Sequence, residues 1–309
     1  MYLNPLSIRI IGRLTFHCVS GIHIGIKGEG MHKPALKVND MLLIPATSWK
    51  GSFRAISERV INAMTLDGVE GLLRKLYVED EDGIGFKSRG YETREFDNLL
   101  GYITSRHEEV LKIMEQLVLG NDEVMTMLRE IKSSEELKSF VSSNRVGMSL
   151  LQRYLGMIYP ITSLYGSQGV AGKVRFMDTI VKADVSWRPG VGIDRMTMRS
   201  DEGKLYSYEV LVPNSGEVVL RLIIDNVYPK TLEAKVLSAT LRLIKKDGIQ
   251  IGGSKSRGIG HMVLKEERSW FRVMDVSNKV DLATKVRLIA SPKNGNLMSF
   301  NDFLTSLSI

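Results

Sequence analysis

The chain has 309 residues, of which 43% are hydrophobic and 25% charged, so it can bury a core and is not mainly disordered. A net charge of +7 favours polyanionic partners but is too low for a histone-like tail. A single cysteine, Cys18, excludes a disulfide framework or multi-cysteine zinc site and fits a reducing, cytoplasmic compartment. The first residues predict no signal peptide, and no apolar run reaches the ~20 residues of a membrane span.

The first elements are a strand and a glycine-rich loop. Residues 7–20 predict a strand, because β-branched and aromatic residues dominate with partial alternation. A stretch rich in glycine follows, carries His23 and His32, and predicts a loop or irregular hairpin. Residues 41–45 predict a short apolar strand that ends at Pro45.

A helix is predicted next, with Thr47 or Ser48 as its cap. Lys50 and Arg54 lie four residues apart on one of its faces, near the helix N-terminus. Apolar residues at spacings of four and three predict a buried stripe formed by Trp49, Phe53, Ile56, Val60 and Ala63.

Residues 105–157 have a different texture. Their amphipathic segments predict three or four short helices, with Asn121 and Ser134 at plausible caps. Because no low-complexity linker separates it, this helical insertion is not predicted to be an independent domain.

The strand texture returns in the second half of the chain. Residues 188–212 form a polar, basic segment that contains Arg188, Arg195 and Arg199. The other elements predicted here, in chain order, are a strand over 172–187, a strand over 216–227, a helix over 231–248, the glycine-rich segment 252–260 and a final strand. The collapsed order is βαββαβ, which predicts an α+β, ferredoxin-like (RRM-like) fold with one sheet face free for a ligand.

The segment GGSKSRGIG, residues 252–260, combines backbone freedom with positive charge. Its spacing and context fit neither the P-loop nor the dinucleotide-binding fingerprint. It is either a tight turn that happens to be basic, or a loop whose backbone N–H groups approach an anion. The candidate contacts are Gly252, Gly253, Ser254, Lys255, Ser256 and Arg257.

The histidines of the first loop have several possible roles. His23 and His32 could act as base and acid in RNA cleavage, could donate to phosphate, or could be incidental. No cluster of His, Asp or Glu has metal-ligand spacing, and neither a metal nor a cofactor is predicted.

Four segments together resemble the RAMP superfamily, the repeat-associated RNA-binding proteins of CRISPR systems. IPATSWKGSFRA, residues 44–55, resembles the strand-to-helix motif of that family, with Ala46 in place of the usual glycine. GGSKSRGIGHMVL resembles its glycine-rich signature loop. LYGSQGVAGKVRFMDTIV and VGIDRMTMRSDEGKLYSYEVL resemble two further family segments, and the four matches span about 44–260 in order.

The resemblance is to the backbone subunits of type III effector complexes, and it implies one RAMP domain over residues 1–309. The implied parts are a ferredoxin-like core at about 7–66 and 165–272, the helical insertion at about 105–157, and a protruding β-hairpin thumb at about 185–207. The implied partners are guide and target RNA, other RAMP subunits, a large polymerase-like subunit and a small helical subunit.

The resemblance also implies site residues. Ser48, Lys50 and Arg54 would face guide phosphates, the glycine-rich loop would pack beside them or against the sheet, and the arginines of the basic segment would add RNA contacts. Slicing backbone subunits carry an Asp in the first loop, where this chain has His32. We therefore expect a subunit that binds RNA without cutting the target.

Two other functions stay open. The first is a metal-independent RAMP endoribonuclease that processes CRISPR RNA, with His23 or His32 as general base; such enzymes usually have tandem ferredoxin-like halves, whereas one set of core elements is evident here. The second is a ferredoxin-like scaffold without an RNA role.

Overall fold

A computed structural model describes residues 6–26, 32–80, 83–86, 94–118, 121–167, 169–193, 196, 200–277 and 279–308. The chain divides into two compact units. We call the part within residues 58–173 the helical unit, and residues 6–57 together with those from 174 onward the sheet unit.

The strands, in chain order, are β1 (Ile8–Cys18), β2 (His32–Lys33), β3 (Lys37–Val38), β4 (Met41–Ile44), β5 (Tyr77–Asp80), β6 (Gly83–Phe86), β7 (Val174–Phe176), β8 (Thr179–Val181), β9 (Ala183–Ile193), β10 (Ser200–Pro213), β11 (Glu217–Asp225), β12 (Ile249–Gln250), β13 (His261–Asp275) and β14 (Asn296–Ser299).

The α-helices are α1 (Ala46–Ala63), α2 (Gly68–Leu76), α3 (Arg94–Thr104), α4 (His107–Leu117), α5 (Asp122–Glu130), α6 (Ser134–Ser143), α7 (Arg145–Ile158), α8 (Pro160–Tyr165), α9 (Leu232–Asp247), α10 (Leu282–Ala290) and α11 (Phe300–Ser308).

The largest sheet of the sheet unit has the strand order β12–β13–β1–β11–β7, and β14 also pairs with β13. Every pairing in this sheet is antiparallel. In the chain, α1 lies between β1 and β7, and α9 lies between β11 and β13. The protein is thus a mixed α+β structure with mainly antiparallel sheets, and this coarse prediction from the sequence is confirmed.

The core of the sheet unit forms where α1 packs on β1. Alternate residues of β1 are buried, and the Phe16 ring lies 5.5 Å from the Trp49 ring of α1. Ser57 of α1 and Thr240 of α9, both fully buried, share a hydrogen bond of 2.7 Å. The stripe predicted for α1 is buried except at Ala63, which is exposed because the helix ends there.

Two smaller sheets complete the sheet unit. Strands β9 and β10 form a long antiparallel hairpin, and β2 pairs in parallel with β10. Strands β3, β4 and β8 form the other sheet. The hairpin includes much of the segment whose glycines and charges had indicated an extended, polar stretch.

The helical unit contains α2 to α8 and the β5–β6 hairpin. The amphipathic segments predicted within 105–157 are α4 to α7. Asn121 caps α5 as predicted, by accepting the Val124 N–H at 3.2 Å. The cap of α6 is Ser133, one residue before the predicted one. In the part of the chain described, no helix has the length and apolarity needed to span a bilayer.

Candidate nucleic-acid interface

The glycine-rich segment packs directly against the first loop. The Gly253 N–H donates to the His23 carbonyl oxygen at 2.8 Å. Gly252 has a φ of +89°, and a Cβ at this position would lie 2.2 Å from the same oxygen. A side chain would clash there in a conformation that L-residues rarely adopt. Gly252 and Gly253 therefore allow the backbone of the glycine-rich segment to pack against the backbone of the first loop at His23.

The cations of this segment point to different places. Lys255 begins a 3₁₀ turn, and its Nζ lies 3.2 Å from the Ser52 Oγ of α1. The Ser52 hydroxyl in turn donates to the Gln250 carbonyl oxygen at 2.9 Å. Arg257 instead lies against the Tyr208 ring of the hairpin. Ser256, between the two cations, is exposed.

A cavity of about 470 Å³ opens where the glycine-rich segment, the first loop and the start of α1 meet. The Ser48 and Ser254 side chains and the Lys255 ammonium line this cavity, and hydroxyl and ammonium groups are donors of the kind that bind an anion. The cavity is lined by His23, Ile24, Gly25, Ser48, Gly51, Ser52, Gly252, Gly253, Ser254 and Lys255. Five of the predicted RNA-binding residues, Ser48, Gly252, Gly253, Ser254 and Lys255, therefore lie together, and so does the candidate catalytic residue His23.

The beginning of α1 is held by a carboxylate distant in sequence. Asp178 Oδ1 accepts the Ala46 N–H at 2.7 Å, and the Trp49 indole donates to Thr179 Oγ1 at 3.2 Å. The predicted cap at Thr47 or Ser48 is wrong, because the helix starts before both residues. Asp178 supplies negative charge at this N-terminus, where the helix dipole favours it.

Lys50 and Arg54 differ in exposure. Lys50 is half-buried, and burial together with the neighbouring Arg54 charge lowers its pKa. Arg54 is only 7% exposed. Lys50 is thus better placed than Arg54 to meet a phosphate from solvent.

His23 is buried against the hairpin as well as lining the cavity. It is 4% exposed, and its Nδ1 lies 2.8 Å from the Glu209 carbonyl oxygen. A carbonyl oxygen can only accept, so Nδ1 carries the proton and Nε2 keeps its lone pair in the neutral ring. The imidazole is therefore held in one tautomer.

The Glu209 side chain anchors the first loop. It is 5% exposed, accepts the Ala35 N–H at 2.8 Å and pairs with the Lys37 ammonium at 2.6 Å. Burial alone would raise its pKa, but the Lys37 and Ala35 hydrogen bonds and the Lys37 and His23 charges outweigh burial, so the pKa lies below its ordinary value.

His32 lies apart from the cavity residues, in the exposed strand β2. Its Nδ1 is 2.7 Å from the Ser207 Oγ, and its ring meets the Trp187 ring edge-on at 5.7 Å. The two histidines that the sequence grouped together thus have separate surroundings.

The hairpin has one apolar exposed face. Its residues alternate in β9, and five large apolar side chains on this face are each at least 43% exposed: Val185, Trp187, Val191, Ile193 and Leu205. Arg188, on the opposite face, is also exposed. Arg195 and Arg199 lie outside the described residues.

Sequence reasoning missed several residues at this site. Asp178 and Glu209 lack a local signal, because their partners are distant in sequence. Tyr206 and Tyr208 could have been noticed, since aromatic residues at alternate positions of a strand share one face. Among the described residues, no group of three or more His, Cys, Asp or Glu side chains is arranged to hold a metal ion.

The sequence matches a protein-family model. A family model described as RAMPs, the RAMP superfamily, matches residues 15–263, which is well over half of the chain. A search of curated proteins returns no match.

Proposed function

Because this chain belongs to the RAMP superfamily, we propose that it binds guide RNA as a structural subunit of a type III CRISPR effector complex. Membership of the family supports a CRISPR-associated role in RNA binding or processing. The observation that carries the more specific proposal is the cavity in which Lys255 meets Ser52 beside the start of α1.

The proposed core is ferredoxin-like. Supporting this, β13, β1, β11 and β7 are antiparallel neighbours in that order, and α1 and α9 connect them in a βαββαβ sequence. The proposed thumb is the β9–β10 hairpin, which includes most of residues 185–207. The proposed partners are the RNA and protein subunits implied by the resemblance.

Binding should be electrostatic and largely independent of sequence, since the cavity offers hydroxyl groups and a cation but few base-reading groups. We expect Lys50→Ala with Lys255→Ala to weaken binding of unrelated single-stranded RNAs alike by about tenfold or more. The slope of log K against log salt should become shallower by about 1.4 if two phosphate contacts are lost.

The control is Arg242→Ala with Lys246→Ala, which removes the same charge from exposed positions of α9. Fluorescence anisotropy over a salt series measures both quantities. Equal weakening by the control pair would show that only net charge matters, and a loss limited to one RNA sequence would overturn backbone binding.

We also propose that the subunit does not cleave target RNA. The family resemblance aligns His32 with the Asp of slicing subunits, and in the structure His32 contacts Ser207 and Trp187. In an assembled effector complex, target cleavage at the site of this subunit should be absent with wild type and with His32→Ala. A cut made by wild type and lost in the variant would contradict this.

One observation favours the endoribonuclease as a second candidate. His23 lines the cavity in a fixed tautomer with a free Nε2 lone pair, as a general base requires. Isolated protein incubated with repeat RNA in EDTA would then cut at one site, and His23→Ala would abolish the cut while His32→Ala would not. No cleavage by wild type would exclude this candidate.

A further inference from the structure

Arg257 is held by two tyrosines of the hairpin. Its guanidinium carbon lies 5.1 Å from the centre of the Tyr206 ring and 5.6 Å from that of Tyr208. One guanidinium nitrogen donates to the Tyr208 hydroxyl. Arg257 itself is exposed, so its planar head is fixed by aromatic rings while remaining open to solvent.

The two tyrosines are themselves fixed. They point to the same face of β10, and their rings meet at 5.3 Å and 80°. Tyr206 lies over Gly190 of the paired strand, where a Cβ would be 2.3 Å from the ring. Both tyrosines are only partly buried. We call Tyr206, Tyr208 and Arg257 the aromatic platform.

The aromatic platform adjoins the cavity through one residue. The His23 ring packs edge-on against Tyr208 at 5.1 Å, and His23 also lines the cavity. On the loop, Lys255 and Arg257 are two residues apart, yet one is turned to the cavity and the other to the platform. A serine-lined cavity that contains the Lys255 ammonium thus lies beside a surface formed by two tyrosine rings and a guanidinium group.

These two surfaces match the two ends of a nucleotide. Phosphates favour hydroxyl and ammonium donors, whereas an unpaired base stacks on aromatic rings and on arginine planes. A base inside a duplex is already stacked on its neighbours and cannot use the platform. A phosphate contact alone would not explain why Arg257 lies against two rings.

We propose that the aromatic platform stacks one unpaired base of a single-stranded RNA whose phosphates occupy the cavity. This proposal rests on the proposed RNA-binding function. It assigns Arg257 to the base rather than to phosphate, and it defines the ligand as a strand with at least one base free of pairing.

The test compares three probes of equal length: a short single-stranded RNA, the same strand with abasic residues throughout, and the RNA paired as a blunt duplex. The abasic strand keeps every phosphate and lacks every base. Wild type should bind the single strand about tenfold more tightly than the abasic strand, as expected for stacking of a base on aromatic side chains. The duplex should not bind more tightly than the abasic strand, because its bases are already stacked on each other.

Two variants remove the platform without removing charge. Tyr206→Leu keeps apolar volume, and Arg257→Lys keeps the cation but loses the planar head. Each should reduce the preference for the single strand several-fold and leave abasic binding unchanged. The matched controls are Tyr228→Leu and Arg242→Lys, exposed residues of the sheet unit outside the platform.

The outcomes separate this inference from the proposed function. If wild type binds single-stranded and abasic RNA equally, or if Arg257→Lys keeps the full preference, base stacking is overturned while backbone binding stands. If wild type binds none of the probes, the proposed function fails and the inference fails with it. A 2-aminopurine base placed along the strand should be quenched by wild type but not by Tyr206→Leu.

Discussion

Gly260 closes the glycine-rich segment at the start of β13. Its φ is +79°, and a Cβ there would lie 1.9 Å from the Ile251 carbonyl oxygen. Gly258 has a similar φ of +76°, but a Cβ at that position would meet open space. Both glycines thus have a positive φ, but only at Gly260 would a Cβ clash with a neighbouring atom.

This difference gives a prediction. Gly258→Ala should destabilise the fold by about 1–2 kcal/mol, which is the cost of placing an L-residue in the left-handed helical conformation. Gly260→Ala should be worse by about 2 kcal/mol or more, since the Ile251 carbonyl must also move. Urea unfolding of both variants measures the gap. Equal losses would mean that only the backbone conformation matters.

Single residues also show where sequence reasoning stops. Lys50 and Arg54, four residues apart on one helix, were both predicted to contact RNA phosphates. Arg54, however, is only 7% exposed. Lys255 and Arg257 carry like charge two positions apart and contact different elements. Sequence spacing determines on which face of a helix or strand a side chain lies. It does not determine which residues of other elements that side chain contacts.

At the scale of the element, helix α1 depends on a residue 132 positions away, Asp178, whose carboxylate accepts the first helical N–H. Asp178→Ala should lower the free energy of unfolding by about 1 kcal/mol, the usual loss on removing a cap. Asp178→Asn keeps an acceptor and should lose less. Chemical denaturation compares the two, and an unchanged Asp178→Ala variant would show that the bond contributes nothing.

The β9–β10 hairpin was expected from the family resemblance, but not from local propensity. Pro189, Gly190 and Gly192 disfavour a strand locally. The structure nevertheless pairs β9 with β10 along most of its length, because β9 is an edge strand and tolerates both residue types. Local propensity indicated an extended segment, and in the structure this segment pairs with the next strand of the chain.

At the scale of the whole molecule, acid stability should depend on Glu209, whose carboxylate ties the first loop to the hairpin. Its pKa in the folded state lies below the ordinary value. Its stabilising contribution is therefore fully present above the unfolded pKa of about 4.3 and is lost as pH falls through the folded pKa.

Glu209→Gln should accordingly be less stable than wild type near neutral pH, and the difference should shrink below about pH 4. Urea midpoints measured across this range test the expectation. Glu267→Gln, which removes an exposed carboxylate from β13, is the control. A difference between wild type and Glu209→Gln that does not change with pH would contradict the account.

The sequence by itself determined the α+β class, the strands β1, β4, β11 and β13, the helices α1, α4 to α7 and α9, and the order of the family segments. The single strand predicted over 172–187 is instead β7, β8 and the start of β9. Helices and strands can be predicted because apolar residues recur at short, regular spacings along the sequence, as in the buried stripe from Trp49 to Val60 on α1. The family match over residues 15–263 agrees with the four segments recognised in order.

Only the tertiary structure decided how the site is assembled. The contact of Gly252 with His23, the anchoring of Ala35 by Glu209 and the platform beneath Arg257 join residues far apart in the chain. The glycine-rich segment is composed for close approach, but the surface it approaches comes from the first loop. Local patterns cannot encode such partners, because which backbones meet depends on how the whole sheet unit packs.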